Sequence, residues 1–272
     1  MPEAGLFDHL ARGCQRLLGA LSDAAYAWQR RRQQGLHSGI IYARRVKLTL
    51  GLGLGHPTLG AAGARTWLPG RRRDRWKGDS GRKLLPVLQK LGLRADMRCI
   101  DYGCGGLRVG RHLIEFLEPD SYIGLDVVDD FYRAGRQLLD PKLVAAKRPR
   151  FGLVDETDGD LTHDFLFANA VVQHVPPAEL DAFFARLARL TTPGSRSCAL
   201  FVVSPRIERF GMLSWSYPAG HLLEAARRAD GGLGLSLVPI NASGEDRRGR
   251  ERMALVMTRP AISETACARS PG

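Results

Sequence analysis

An α/β fold built on a mostly parallel sheet is predicted from three observations. Short apolar runs and amphipathic helical runs alternate over residues 97–203, the pattern of strands joined through covering helices. One of these runs, Arg98-Cys99-Ile100-Asp101-Tyr102, passes through a glycine turn, Gly103-Cys104-Gly105-Gly106, into a helix. Another, residues 165–172, is apolar almost throughout, as a strand covered on both faces must be. At 272 residues the chain holds one large domain and an extension. The boundaries expected are a basic extension at 1–77, the α/β domain at 78–260 and a flexible tail at 261–272.

The charge is unevenly placed. Residues 1–96 carry 18 Lys+Arg against 6 Asp+Glu and residues 97–272 carry 22 of each, so the whole +12 lies ahead of the glycine turn. Leu6, Phe7, Leu10, Cys14, Leu17, Leu18, Leu21, Ala25 and Trp28 recur at helical spacing and predict an amphipathic helix over 5–34. Arg30, Arg31 and Arg32 near its end complement the helix dipole. Three uses stay open for it: docking on the domain, peripheral contact with a membrane, or holding a partner or nucleic acid. Residues 36–64 are glycine-rich and read as a loop or loose hairpin, and 71–77 form a basic cluster around Trp76. Asp79 or Ser80 then caps a helix carrying Leu84, Leu85, Val87, Leu88 and Leu91, closed by Gly92. Pro86 inside it calls for a kink or a late start.

Composition excludes several classes. The five cysteines (Cys14, Cys99, Cys104, Cys198, Cys267) are odd in number and lack Cys-x-x-Cys spacing, so neither a disulfide framework nor a zinc site is indicated. Reduced thiols suit a cytoplasmic protein. No cationic start leads into an apolar core, so no signal peptide is read. The uncharged stretch 48–64 is too short and too glycine-rich to span a bilayer. The excess of arginine over lysine points to a high-GC, bacterial coding sequence.

At the glycine turn the question is which ligand it serves. Glycines remove the Cβ, letting the backbone turn tightly and approach a ligand. A turn ahead of a helix start offers free N–H groups to an anion. Leu107, Val109, His112, Leu113, Phe116 and Leu117 give the helix its apolar face. The dinucleotide fingerprint needs a glycine at its sixth position, where Arg108 stands, so that reading fails. Asp101-Tyr102-Gly103-Cys104-Gly105 resembles instead the first motif of the class I S-adenosylmethionine-dependent methyltransferases, an acid followed by Gly-x-Gly-x-Gly. Gly106 and Leu107 occupy the places of the last variable residue and the third glycine. The resemblance covers about 78–260. It implies a Rossmann-like seven-stranded sheet, mostly parallel with an antiparallel C-terminal strand, and S-adenosyl-L-methionine as cofactor. It also implies cofactor contacts from Asp101, Gly103, Cys104 and Gly105, with Arg82 a weaker candidate for the methionine carboxylate.

Residues 121–126 form the next apolar strand, ending in Asp126. This carboxylate lies about twenty residues past the turn, where an acid accepts bonds from ribose hydroxyls. A helix N-cap is the plainer use for it. Val127 then lines the adenine pocket. A helix over 131–139 breaks at Asp140-Pro141, resumes to 147, and gives way to a strand at 150–154. The resemblance implies that Asp155, ahead of Glu156, accepts a bond from the adenine amino group; the alternative is a solvated acidic loop.

The run Asp164 to Pro177 resembles the family's fourth-strand motif, which puts Asn169 and Ala170 beside the sulfonium. His174 is a candidate base for the acceptor proton, with a structural role at the turn as the plainer reading. Positioning alone also suffices for an in-line methyl transfer. Pro177 opens a helix whose buried face is Leu180, Phe183, Phe184, Leu187 and Leu190, and 197–203 is the fifth strand. Residues 204–217 are irregular and aromatic (Phe210, Trp215, Tyr217) and either shape an acceptor pocket or pack on the surface. A helix at 218–229 carries His221, a second candidate base. Strands at 233–240 and 252–259 resemble the family's closing antiparallel pair.

The activity expected is methyl transfer to an O or N of a small-molecule or sugar-type acceptor. No Asn/Asp-Pro-Pro-Tyr/Phe motif follows the fourth strand, which disfavours DNA bases and glutamine amides as acceptors. Two alternatives stay open: an RNA-modifying enzyme that grips phosphates through the basic extension, and a non-catalytic interaction protein on the same fold. A nicotinamide reductase ranks last, and oligomeric state is not addressed by the sequence.

Overall fold

Cys99–Tyr102 (β1) and Tyr122–Asp126 (β2) are buried at every residue. Such strands show no alternation because helices cover both sides of the sheet. The computed structural model of the chain describes residues 81–156, 161–209, 214–240 and 251–260. The helix expected over 5–34, the stretch 36–64, the cluster at 71–77, Phe210 and the tail after 260 lie outside the described residues.

Arg150–Leu153 (β3), Phe165–Asn169 (β4) and Arg196–Val202 (β5) join β1 and β2 in a parallel array, and Gly234–Pro239 (β8) and Arg252–Thr258 (β9) close it. The order across the sheet is β3-β2-β1-β4-β5-β9-β8, seven strands, with β9 antiparallel to both neighbours. The chain starts at the centre, steps outward to β3, then returns to lay β4 against the other side of β1. That reversal opens a crevice outside the carboxyl ends of β1 and β4, where open α/β sheets bind ligands.

Two apolar layers hold the sheet. On one face Ile100, Tyr102, Leu166, Ala168, Ala199 and Leu255 pack under Leu180–Leu190 (α5) and Ala219–Ala229 (α6). The five residues expected to form the buried face of α5 are all buried. Tyr102 and Phe183, and Phe183 and Phe184, meet edge to face there. Each such aromatic contact adds ~0.5–1.5 kcal/mol beyond burial. On the other face Cys99, Phe165, Phe167, Cys198 and Leu200 pack under Leu85–Lys90 (α1) and Gly110–Phe116 (α2).

Several boundaries differ from the sequence reading. A 3₁₀ turn at Arg82–Leu84 precedes α1, and Pro86 stands in its first turn, where a missing N–H costs nothing; of the two options the start is late. Strand β4 ends at Asn169, short of 172, because Ala170 takes φ 62° and the chain then coils into a 3₁₀ turn at Val172–His174. Pro177 opens a separate 3₁₀ turn, and α5 begins only at Leu180. Asp129–Arg136 (α3) and Pro141–Lys147 (α4) are separated as expected, with Asp140 Oδ1 accepting from Lys142 N at 2.9 Å. Within 204–217, Glu208–Arg209 (β6) and Trp215–Ser216 (β7) pair as a small antiparallel ladder rather than staying irregular.

Candidate cofactor and methyl-transfer site

The turn after β1 folds back onto the end of β2. Gly103 N and Cys104 N both donate to the Leu125 carbonyl, at 2.8 and 3.0 Å, and Gly105 N donates to Asp126 Oδ2 at 2.7 Å. The free N–H groups expected of this turn are therefore not free at 103–105. The donors are buried beside the carboxyl end of a parallel neighbour, and an unpaired buried N–H is too costly to leave. The turn's use to a ligand lies in its shape. Gly103 has φ 76°, and a Cβ there would fall 2.4 Å from Val171 Cγ2. So the glycine turn and the segment after β4 are packed together, bringing the two strongest sequence signals into one site.

Leu107 has φ 58° and is fully buried. It holds a left-handed conformation that a glycine at this place would take with ease.

Asp126 is 5% exposed. Its Oδ1 accepts from Val127 N at 2.8 Å, so each oxygen already takes one backbone donor. Burial pushes this carboxyl up to about 6, against the pull of the Gly105, Val127 and Val128 backbone N–H groups. A carboxylate has about four acceptor positions, so capacity remains for a ligand donor. Asp101 accepts from the Tyr122 hydroxyl at 2.8 Å beneath the turn. Burial pushes it up to about 7, the Tyr122 bond lowers it and the Asp126 charge adds to the rise. Cys104 is buried, and burial holds its thiol well above the usual range, which leaves it protonated and unreactive.

Asp155 lies in the 3₁₀ turn Val154–Glu156, two residues past Leu153, the register partner of Asp126. Its Oδ1 is 3.0 Å from Arg186 Nη2 on α5. Asn169 closes β4, and its Oδ1 is 3.4 Å from Arg252 Nη2 at the start of β9. His174 Nδ1 is 3.2 Å from Ser214 Oγ, just ahead of β7. His221 stacks on Tyr217 at 6.1 Å between ring centroids. Arg82 is exposed on its 3₁₀ turn beside Gly81, which is packed against the Arg108 carbonyl.

Arg186, Ser214 and Arg252 were not singled out by sequence reasoning. Arg252 leaves a trace, a cation heading the otherwise apolar run Met253-Ala254-Leu255-Val256-Met257. Arg186 and Ser214 leave none, because their partners are remote in the chain. The donor set fits an adenosyl ligand: a left-handed turn, a buried carboxylate with acceptor capacity to spare, and a second carboxylate at the same sheet edge. Among the described residues no group of three or more His, Cys, Asp or Glu could hold a metal. No described helix is long and apolar enough to cross a membrane.

Residues 100–197 match the family model described as a methyltransferase domain. Together with the sheet order, that match gives this part of the chain the fold of a class I S-adenosylmethionine-dependent methyltransferase domain. No curated protein matches it. Among solved structures it is similar to magnesium protoporphyrin IX methyltransferase (ChlM) from Synechocystis with bound SAM, at 14% identity over 83% of this chain and 99% of that one, with a TM-score of 0.56. The glycopeptide N-methyltransferase MtfA complexed with sinefungin is similar at 9% identity over 67% and 95% of the two chains, with a TM-score of 0.53. The 4+2 cyclase SpnF is similar at 14% identity over 80% and 96%, with a TM-score of 0.55. At these identities the likeness is one of fold.

Proposed function

We propose that this methyltransferase delivers the methyl group to an oxygen or nitrogen of a small-molecule or sugar-type acceptor held over the carboxyl ends of β4 and β5. The observation that carries this reading is the contact between Ser214 and His174. It ties the segment leading into β7 to the turn after β4, which puts that segment beside the residues read as next to the reacting centre. When bound, S-adenosylmethionine supplies a methyl group already activated on a sulfonium. The work left to the chain is to bind, orient and exclude water. Asp126 accepts from the ribose hydroxyls with its remaining acceptor capacity, and Val127 lies under the adenine. Asn169, steadied by Arg252, and Ala170 flank the methyl group. The His174 imidazole takes the proton that a hydroxyl or ammonium acceptor must lose.

The test is an acceptor screen that follows release of S-adenosylhomocysteine. Turnover with small hydroxyl or amine acceptors, insensitive to salt, supports the reading. The 18 basic residues ahead of position 97 favour a second one, an RNA acceptor. Its mark is activity on RNA that falls steeply as salt rises, since each phosphate contact releases counterions. Failure to bind S-adenosylhomocysteine in calorimetry supports instead a non-catalytic role.

A further inference from the structure

At the amino edge of the sheet, where β1, β4 and β5 begin, a cleft of about 550 Å³ is lined by Asp96, Arg98, Thr162, His163, Asp164 and Thr192. That volume lies in the range of small-molecule sites, about 300–1,000 Å³. The cleft is a strand's length from the crevice at the carboxyl ends, roughly 16 Å for the five residues of β4. Its frame is well bonded. Asp164 N and Phe165 N both donate to the Arg98 carbonyl, at 2.9 and 3.1 Å, and Arg98 N donates to Asp164 Oδ2 at 2.8 Å. Arg98 Nη1 donates to Thr162 Oγ1 at 3.2 Å.

His163 stands among these residues, 7% exposed. Its Nδ1 is 2.7 Å from the Leu161 carbonyl. A carbonyl only accepts, so Nδ1 carries the hydrogen. Burial pushes the imidazole below its ordinary pKa, against the Leu161 bond, and keeps the ring neutral. Nε2 is therefore a bare acceptor, buried and with no hydrogen-bond partner among the described residues. A buried polar atom left unpaired gives up its water and gains nothing, so it points to a ligand or an ordered water.

The walls narrow the choice of ligand. Arg94 forks onto both oxygens of Asp96, at 3.1 and 3.0 Å, and the Arg98 charge offsets that of Asp164. With His163 neutral, no net charge is left for an ion to match. No aromatic ring lines the cleft among the described residues, so a flat base has nothing to stack on. Leu161 and Pro193 offer small apolar patches to C–H groups. We propose that this cleft is a second binding site, apart from the methyl-transfer crevice, for a neutral hydroxyl-rich molecule such as a sugar, one hydroxyl of which donates to His163 Nε2. A hydroxyl donates and accepts at one atom, which suits a carboxylate, a guanidinium and an imidazole lone pair side by side.

The experiment is NMR of the full chain carrying isotopically labelled histidine, with the His163 Nε2 resonance assigned by its loss in His163→Gln. Trehalose, D-glucose and D-mannose are the probes, and inorganic phosphate and spermidine are the charged controls. At least one sugar should shift the Nε2 resonance saturably, and neither control should. Arg98→Met and Asp164→Asn, both at exposed positions, should weaken that sugar about tenfold or more, the range for losing a hydrogen bond to a charged group. Affinity for S-adenosylhomocysteine should stay level in both variants, because the crevice lies at the other edge of the sheet. No saturable shift with any sugar, or sugar binding unchanged in both variants, overturns the proposal and leaves Nε2 to an ordered water. A shift produced by phosphate or spermidine alone overturns the charge argument and the proposal with it.

Discussion

Asp126 Oδ2 accepts a 2.7 Å bond from Gly105 N, joining the end of β2 to the turn after β1 across 21 positions of sequence. The carboxylate expected to hold the ribose therefore also holds the turn that shapes the cofactor crevice. Its two duties are compatible, since each carboxylate oxygen has a second lone pair. The consequence is that cofactor affinity and local stability share one residue.

Asp126→Ala removes the acceptor of the Gly105 and Val127 backbone N–H groups and the acceptor capacity left for the ribose. Stability should fall by about 1–3 kcal/mol, from unsatisfied buried N–H groups. Affinity for S-adenosylhomocysteine should fall by about a hundredfold or more, with the loss of charge-assisted bonds to the ribose. Thermal melting and calorimetry read the two separately. An alanine variant that binds the ligand as well as the parent would remove Asp126 from the cofactor site.

Leu107 makes an unusual prediction about glycine. In most buried positions Leu→Gly costs more than Leu→Ala, by ~0.5–1 kcal/mol of backbone entropy. At φ 58° the order should be reversed or level. Both substitutions lose the buried side chain, worth ~2–5 kcal/mol, but only glycine also relieves the left-handed strain, ~1–2 kcal/mol. Urea unfolding of the two variants decides it, and a glycine variant clearly less stable than the alanine one refutes the strain argument.

The buried acids give a pH signature with a definite sign. Asp101 rises from 3.8 to about 7 on folding, chiefly through burial. A raised carboxyl pKa means that the folded state holds its proton more tightly than the unfolded chain does. Between the two values stability falls as pH rises. Between about pH 4 and 7 the parent should thus lose stability on the order of a few kcal/mol from this residue. Asp101→Asn keeps an acceptor for the Tyr122 hydroxyl and removes the titration, so its stability should fall less over the same window. The measurement is the difference between parent and variant in melting temperature at pH 4.5 and 7.5. A variant curve parallel to the parent's would remove Asp101 as the source.

The fold was legible because its evidence is local and periodic. Alternating runs gave the strands and helices, and the covered strand at 165–169 and the face of α5 follow from apolar pattern alone. Boundaries failed where the backbone leaves regular φ/ψ values for tertiary reasons: Ala170 ending β4, Leu107 delaying α2, and the 3₁₀ turn ahead of α5. Acidic residues at strand ends were visible as types at a spacing. Their partners were not, since Arg186 reaches Asp155 and Ser214 reaches His174 across 31 and 40 positions. The free N–H groups of the glycine turn were misjudged for the same reason, because the Leu125 carbonyl that occupies two of them lies on another strand.

His174 and Ser214 supply a last test, of whether the site uses a base at all. If the imidazole takes the acceptor proton, His174→Gln should lower kcat by about a hundredfold, at the low end for a positioned base. The affinity for S-adenosylhomocysteine should stay unchanged, because the residue lies on the acceptor side of β4. Ser214→Ala removes the group 3.2 Å from Nδ1 and with it the constraint on ring orientation. It should lower kcat by less, with the affinity for S-adenosylhomocysteine again unchanged. A glutamine variant that keeps kcat within about twofold would instead assign the rate to positioning alone, with Ser214 and His174 serving only to shape the acceptor space.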